Sequence, residues 1–221
     1  RDWSSDVCSS DLARGIHDAL AQIDTLDAVA LEGYATRHGS GLKLLCSSID
    51  GPLPRGVEGS EFARLLRLAR ARQDLVVIAA NRWFDPATIE AIAESQKVLI
   101  VLGQSLAEVR NAVRLRSLLI ESLGLPDGVL RVVINRYSDR LPVQAEMIEK
   151  AVGVSSAFRI PPDAPLVRRS IDAGEPLVEL DRYAPLTRAL IALENELTGS
   201  RIESDRKPLR RILATLTRSD G

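Results

Sequence analysis

The chain has 221 residues, is 45% hydrophobic and 27% charged, and sets 29 Lys plus Arg against 30 Asp plus Glu for a net charge of −1. This composition can bury a core and excludes attachment to nucleic acid by bulk charge, while 4% aromatic content leaves few platforms for stacking single-stranded bases. No apolar run approaches the roughly 20 residues of a membrane-spanning helix, and the two cysteines, Cys8 and Cys46, lack the paired spacing of a disulfide scaffold or a zinc module.

Residues 1–12, RDWSSDVCSSDL, have neither helical nor alternating rhythm and no basic-then-apolar signal pattern. They resemble a translated sequencing adapter. The alternative is a disordered natural N-terminus. On the adapter reading they carry no function, and an upstream part of the domain is expected to be missing.

From residue 15 the order of elements becomes regular. Residues 15–31 read as helical, with a break near Asp24-Thr25. Residues 42–46 (LKLLC) read as a short apolar strand, with Cys46 an inert buried thiol. Residues 47–59 hold three Gly and two Pro and form a loop. Residues 58–72 form a helix with Phe62, Leu65, Leu66 and Leu68 on its apolar side. Residues 75–80 (LVVIAA) carry no polar side chain, the pattern of a strand covered on both faces. Asp85 caps and Pro86 opens a helix that runs to Glu94.

Val98–Leu102 is a second buried strand. Ser105 and Glu108 form a capping box for a helix that ends at Gly124 and Pro126. Residues 129–135 form a third strand, and residues 142–152 a helix with Met147, Ile148 and Val152 as its apolar positions. Residues 156–160 form a short fourth strand, and 166–173 and 183–197 the last two helices. Strand and helix alternate, and the strands are continuously apolar. The fold class is therefore α/β, a mostly parallel sheet with helices on both faces. Such sheets bind ligands beyond the carboxyl ends of their strands. The loops of interest are those after Ile78, Leu102, Ile134 and Ile160.

Those loops carry Asn135-Arg136-Tyr137 at the end of VINRY, and Pro161-Pro162-Asp163 in IPPD. Asp74 opens DLVVIA, and Asp85-Pro86-Ala87-Thr88 starts the next helix. SLAEVRNA from Ser105 and AGEPL from Ala173 complete the series. Together these segments, over residues 13–199, resemble the C-terminal ATPase-like domain of the CpaE/TadZ pilus-assembly proteins, within the ParA/MinD deviant-Walker P-loop superfamily. The resemblance implies a P-loop NTPase-like fold of the SIMIBI/MinD type, here lacking its first strand and P-loop. It implies that Asn135 and Arg136 bind the adenine edge, with Pro161, Pro162 and Asp163 beside the base. In intact relatives the cofactor is ATP with Mg.

Read without the resemblance, Asn135 satisfies a turn and Asp163 is an anion at a helix start. Both readings stay open at the level of sequence.

Two departures from the family pattern bear on function. There is no glycine-rich loop ending in Lys-Ser/Thr, the device that surrounds phosphates with backbone N–H groups. The position of the Walker B aspartate is Ala79, whose methyl cannot hold the water shell of Mg²⁺. The chain is expected to be at most a weak ATPase, with no catalytic and no metal-ligating residue assigned.

The resemblance implies a cytoplasmic pilus assembly or localisation factor of a Tad/Flp-type secretion system. It would act as a homodimer with the pilus secretion machinery, at the cell pole or inner-membrane surface. The alternative is an active ParA/MinD-type partition or positioning ATPase, against which Ala79 and the near-zero charge weigh. No specific nucleic acid is expected as a partner. Residues 200–221 form a tail with six positive and three negative residues. Within residues 207–218, Leu209, Ile212, Leu213 and Leu216 make a helical stripe. That stripe suits either a helix on its own domain or a peripheral membrane or partner contact. Trp83-Phe84 reads as loop packing or as a partner patch.

Overall fold

The computed structural model describes residues 15–46, 56–80 and 84–199. The leader, Trp83 and the tail stripe at 207–218 lie outside the described residues. The chain divides into two compact units.

The first unit comprises the described residues up to Ser95 together with Arg168–Pro176. It opens with α1 (Ile16–Ala21) and α2 (Ala28–Leu31), separated at the break expected near Asp24-Thr25. Asp27 caps α2, its Oδ1 accepting from Val29 N at 2.9 Å and Ala30 N at 2.7 Å. Next come β1 (Thr36–Arg37) and β2 (Lys43–Leu44), paired antiparallel. The 42–46 strand is thus only two residues long and belongs to a hairpin, not to the parallel sheet. Cys46 is buried as expected but is disulfide-bonded, not a free thiol, with its partner outside the described residues.

Helix α3 (Gly59–Arg70) packs on α4 (Pro86–Glu94). Phe62, Leu65 and Leu66 of α3 join Leu20, Ile23, Leu26, Leu31 and Ala91 in one core. Asp85 caps α4 through Thr88 N at 2.7 Å, with Pro86 at the first helical position.

The run 75–80 departs from expectation. It forms no strand, and Leu75 and Val77 are 59% and 83% exposed. Ile78 packs against the core of this unit, but no ladder partner flanks the run among the described residues. An apolar strand is buried by its neighbours, and composition alone cannot supply them.

The second unit comprises Gln96–Val167 and the described residues from Leu177 onward. Its sheet has β3 (Val98–Leu102), β4 (Leu130–Asn135) and β5 (Phe158–Ile160), all parallel, in the order β3-β4-β5. The register pairs Leu102 with Ile134 and Asn135 with Ile160, so the three strands end side by side. Between them run α5 (Leu106–Ser117), which continues as a π-helical turn over Leu118–Ser122, and α6 (Ala145–Val152). After β5 come α7 (Ala164–Ala173), α8 (Leu177–Leu180) and α9 (Pro185–Gly199).

Period-two alternation sorts the strand residues onto two faces. Ile100, Leu102, Val132 and Ile134 share one face, and all are buried. On the other face Val133 and Ile160 pack with Leu186 and Leu193 of α9. Leu99 and Val101 lie on that same face but remain exposed, so α9 covers the β4 and β5 part and not β3. In α6, the apolar positions Ile148 and Val152 are buried. Met147 is exposed, because it lies on the opposite side of the helix from the Ala145–Ile148–Val152 row.

Candidate functional site

Three loops leave the carboxyl ends of β3, β4 and β5, and hydrogen bonds join them. The first is Gly103-Gln104-Ser105. Ser105 is the N-cap of α5, and its Oγ accepts from Glu108 N at 3.2 Å. The Glu108 carboxylate turns back to accept from Ser105 N and Gly103 N, both at 3.1 Å, and from the Ser105 hydroxyl. These donors, Ser105 first, hold the Glu108 carboxyl below its ordinary pKa, helped by the nearby charge of Arg136. A Cβ at Gly103 would lie 2.7 Å from Glu108 Oε1, so any larger residue there makes the Glu108 carboxylate shift.

The second loop starts at Asn135. Asn135 is exposed, and its Oδ1 accepts from Arg136 N at 3.0 Å. Arg136 is the one non-glycine residue with positive φ among those described, at 57°. A left-handed conformation there costs about 1–2 kcal/mol, and surrounding contacts must hold it. Two of them follow at once. Tyr137 N donates to Ile160 O at 2.8 Å, and Ser138 N donates to Gln104 Oε1 at 2.7 Å.

The Tyr137 hydroxyl donates to Gln144 Oε1 at 3.0 Å, and the Arg159 guanidinium lies 5.3 Å from the ring centroid. The neighbouring Asp139 carboxylate, first among the causes, raises the phenol above its ordinary pKa. Arg159 is paired in turn with Glu146 at 2.9 Å.

The third loop is Pro161-Pro162-Asp163. Asp163 Oδ1 accepts from Leu166 N at 3.0 Å in the first turn of α7. The structure therefore brings Asn135, Arg136, Pro161, Pro162 and Asp163 to one edge of the sheet, through the ladder pair Asn135–Ile160. The turn-satisfying roles weighed from sequence for Asn135 and Asp163 are both present. Among the described residues the amide Nδ2 of Asn135 makes no hydrogen bond. Ala79 lies in the other unit, in the exposed run after Ile78.

Gln104 was legible only as a loop residue. It is 8% exposed, and its carboxamide makes three hydrogen bonds. Besides accepting from Ser138 N, it donates from Nε2 to Ser138 O at 3.1 Å and Val143 O at 2.9 Å. Its only mark in the sequence is a polar residue directly after an apolar strand, and its burial appears only in the structure.

No family model matches the sequence, and no curated protein matches it. Solved structures do. A ParA family ATPase from Chlorobium tepidum TLS aligns with a TM-score of 0.77 at 19% identity, covering 87% of this chain and 79% of that one. The fold is that of the ParA and MinD ATPases. The MinD cell division protein of Aquifex aeolicus aligns with a TM-score of 0.68 at 20% identity, over 87% of this chain and 78% of its own. The septum site-determining protein MinD from Pyrococcus horikoshii OT3, complexed with Mg-ADP, gives 0.68 at 18% identity, over 87% and 77%.

The Pyrococcus horikoshii protein holds Mg-ADP, and the residues present here can be compared with the parts of such a ligand. The strand-end loops offer a carboxamide, a guanidinium and a proline-lined turn, which suit a planar heterocyclic base. Ala79 has no oxygen to offer. No cluster of three or more His, Cys, Asp or Glu able to hold a metal occurs among the described residues. No described helix is long and apolar enough to cross a membrane.

Proposed function

We propose that the chain is a pilus assembly or localisation factor of a Tad/Flp-type secretion system. It is built on a ParA/MinD-like domain that recognises an adenine base and hydrolyses ATP weakly or not at all. The single observation that carries this reading is Ala79. In an apolar run that resembles the family's Walker B strand, a methyl group stands where magnesium chemistry needs a carboxylate. The shared fold supports the nucleotide-binding ancestry. The ordered segments VINRY, IPPD and SLAEVRNA support the pilus branch.

In this reading Asn135 and Arg136 contact the base edge, and Pro161, Pro162 and Asp163 border its face. The protein works as a homodimer alongside the pilus secretion machinery, and residues 207–218 touch the membrane surface peripherally. Phosphate release by the full chain, with and without magnesium, tests the non-enzymatic part. No magnesium-dependent release is expected. Release that rises with magnesium would favour an active partition-type ATPase. Deletion of the gene in a host with a Tad/Flp cluster tests the pathway, with loss of surface pili expected and normal piliation contradicting it.

A further inference from the structure

We infer that Gln104 is a positioning residue, which holds the loop after β4 in the one shape that presents Asn135 and Arg136 at the strand ends. This inference rests on the base-binding reading above, and it adds a residue that no motif assigned. The argument is geometric. Arg136 occupies a left-handed backbone conformation that an arginine does not favour by itself. The chain just beyond it is fixed at two successive amides, Tyr137 N by Ile160 O on β5 and Ser138 N by Gln104 Oε1.

The same Gln104 side chain then spans the loop. Its Nε2 donates to the carbonyls of Ser138 and Val143, so one buried carboxamide closes both ends of residues 138–143. Both amide protons and the oxygen are used, and no other side chain type of that length offers both donors and acceptor. Gln104 itself is fixed at the end of β3, between Gly103 and the α5 cap Ser105. The carboxyl end of β3 thereby sets the conformation of the loop on β4. Leaving its groups unmade in a buried place is unfavourable, which makes the arrangement two-ended and specific.

The test uses the full chain with Gln104→Ala and Gln104→Glu, read by amide hydrogen exchange and by adenosine titration. Removing one buried hydrogen bond corresponds to roughly tenfold in a local equilibrium. Gln104→Ala is expected to speed exchange at Ser138 by about that factor, with the amides of β4 itself unchanged. Gln104→Glu keeps an acceptor for Ser138 N but loses both donors. Ser138 should then stay protected while the 139–143 amides exchange faster.

Both variants should weaken adenosine binding by about tenfold. Unchanged exchange at Ser138 in Gln104→Ala overturns the inference, and so does unchanged adenosine affinity in both variants. If the unsubstituted chain binds no adenosine, the base-binding reading fails. The exchange pattern still decides the role of Gln104 in holding the loop. If Gln104→Ala does not fold, the split between Ser138 and 139–143 in Gln104→Glu carries the test.

Discussion

Two apolar runs of nearly the same character end up in opposite states. Residues 75–80 (LVVIAA) form no strand and expose Val77 at 83%, whereas Leu130–Asn135 (LRVVIN) forms β4 and buries Ile134 completely. The difference lies in the neighbours. β4 has a ladder on each side, β3 and β5, and α9 over its Val133 face, while 75–80 has no ladder among the described residues. An apolar run declares only that it tolerates burial. Whether it becomes a strand depends on partners elsewhere in the chain.

Truncations should show the contrast most strongly. Ile134→Ala opens a cavity in a closed site and is expected to cost about 2–5 kcal/mol. Val77→Ala should stay within about 0.5 kcal/mol, as for other exposed positions. Denaturant unfolding of both variants measures the gap, and equal losses would mean that 75–80 is packed in solution.

A smaller effect is expected at the strand-end loops. Gly103→Ala sets a methyl against the Glu108 carboxylate and displaces the cap of α5. The loss should be about 1 kcal/mol, the usual worth of a helix cap. A helix content and midpoint identical to the parent would show that the carboxylate moves aside freely.

The pH dependence follows from Glu108. Its folded pKa lies below the ordinary carboxylate value because Ser105 and Gly103 donate to the charged form. Its contribution is therefore fully present above the unfolded pKa of about 4.3 and is lost as pH falls through the lowered folded value. Glu108→Gln should be less stable than the parent at pH 7, and the two should converge in acid. A constant difference at all pH values would remove the charge from the explanation.

Lys97 gives the smallest effect. Its Nζ is buried without a hydrogen-bond partner, and burial followed by the charge of Arg131 lowers its pKa. Lys97→Met keeps the apolar stem and removes the orphan amine. Stability should hold or rise by up to about 1 kcal/mol. A clear loss in thermal unfolding would mean that the amine has a partner in solution.

Elements in both units were legible in the sequence where local chemistry and burial agree. Val98–Leu102 and the helix from Pro86 to Glu94 have the bounds that their patterns and caps imply. The Ser105–Glu108 capping box and the Asp85 cap were readable for the same reason, since a cap is a contact between near neighbours.

Most of what failed depended on partners that the local pattern does not name. The exposure of 75–80 and the disulfide of Cys46 are of this kind, and the β1–β2 hairpin pairs residues six to eight positions apart that apolar character alone does not join. The candidate site divides in the same way. Asn135, Arg136 and Pro161–Asp163 announced themselves by motif. Gln104 did not, because its partners Ser138 and Val143 lie 34 and 39 residues away.

The proposed function joins a base site at the strand ends to a methyl group, Ala79, where magnesium chemistry needs a carboxylate. The direct test is a titration of the full chain with adenosine and with ATP plus magnesium, following the backbone amides of Asn135, Arg136 and Tyr137. The account predicts that both ligands shift these amides with the same affinity, and that magnesium changes nothing. Much tighter, magnesium-dependent binding of ATP, or amides that respond to neither ligand, would contradict it.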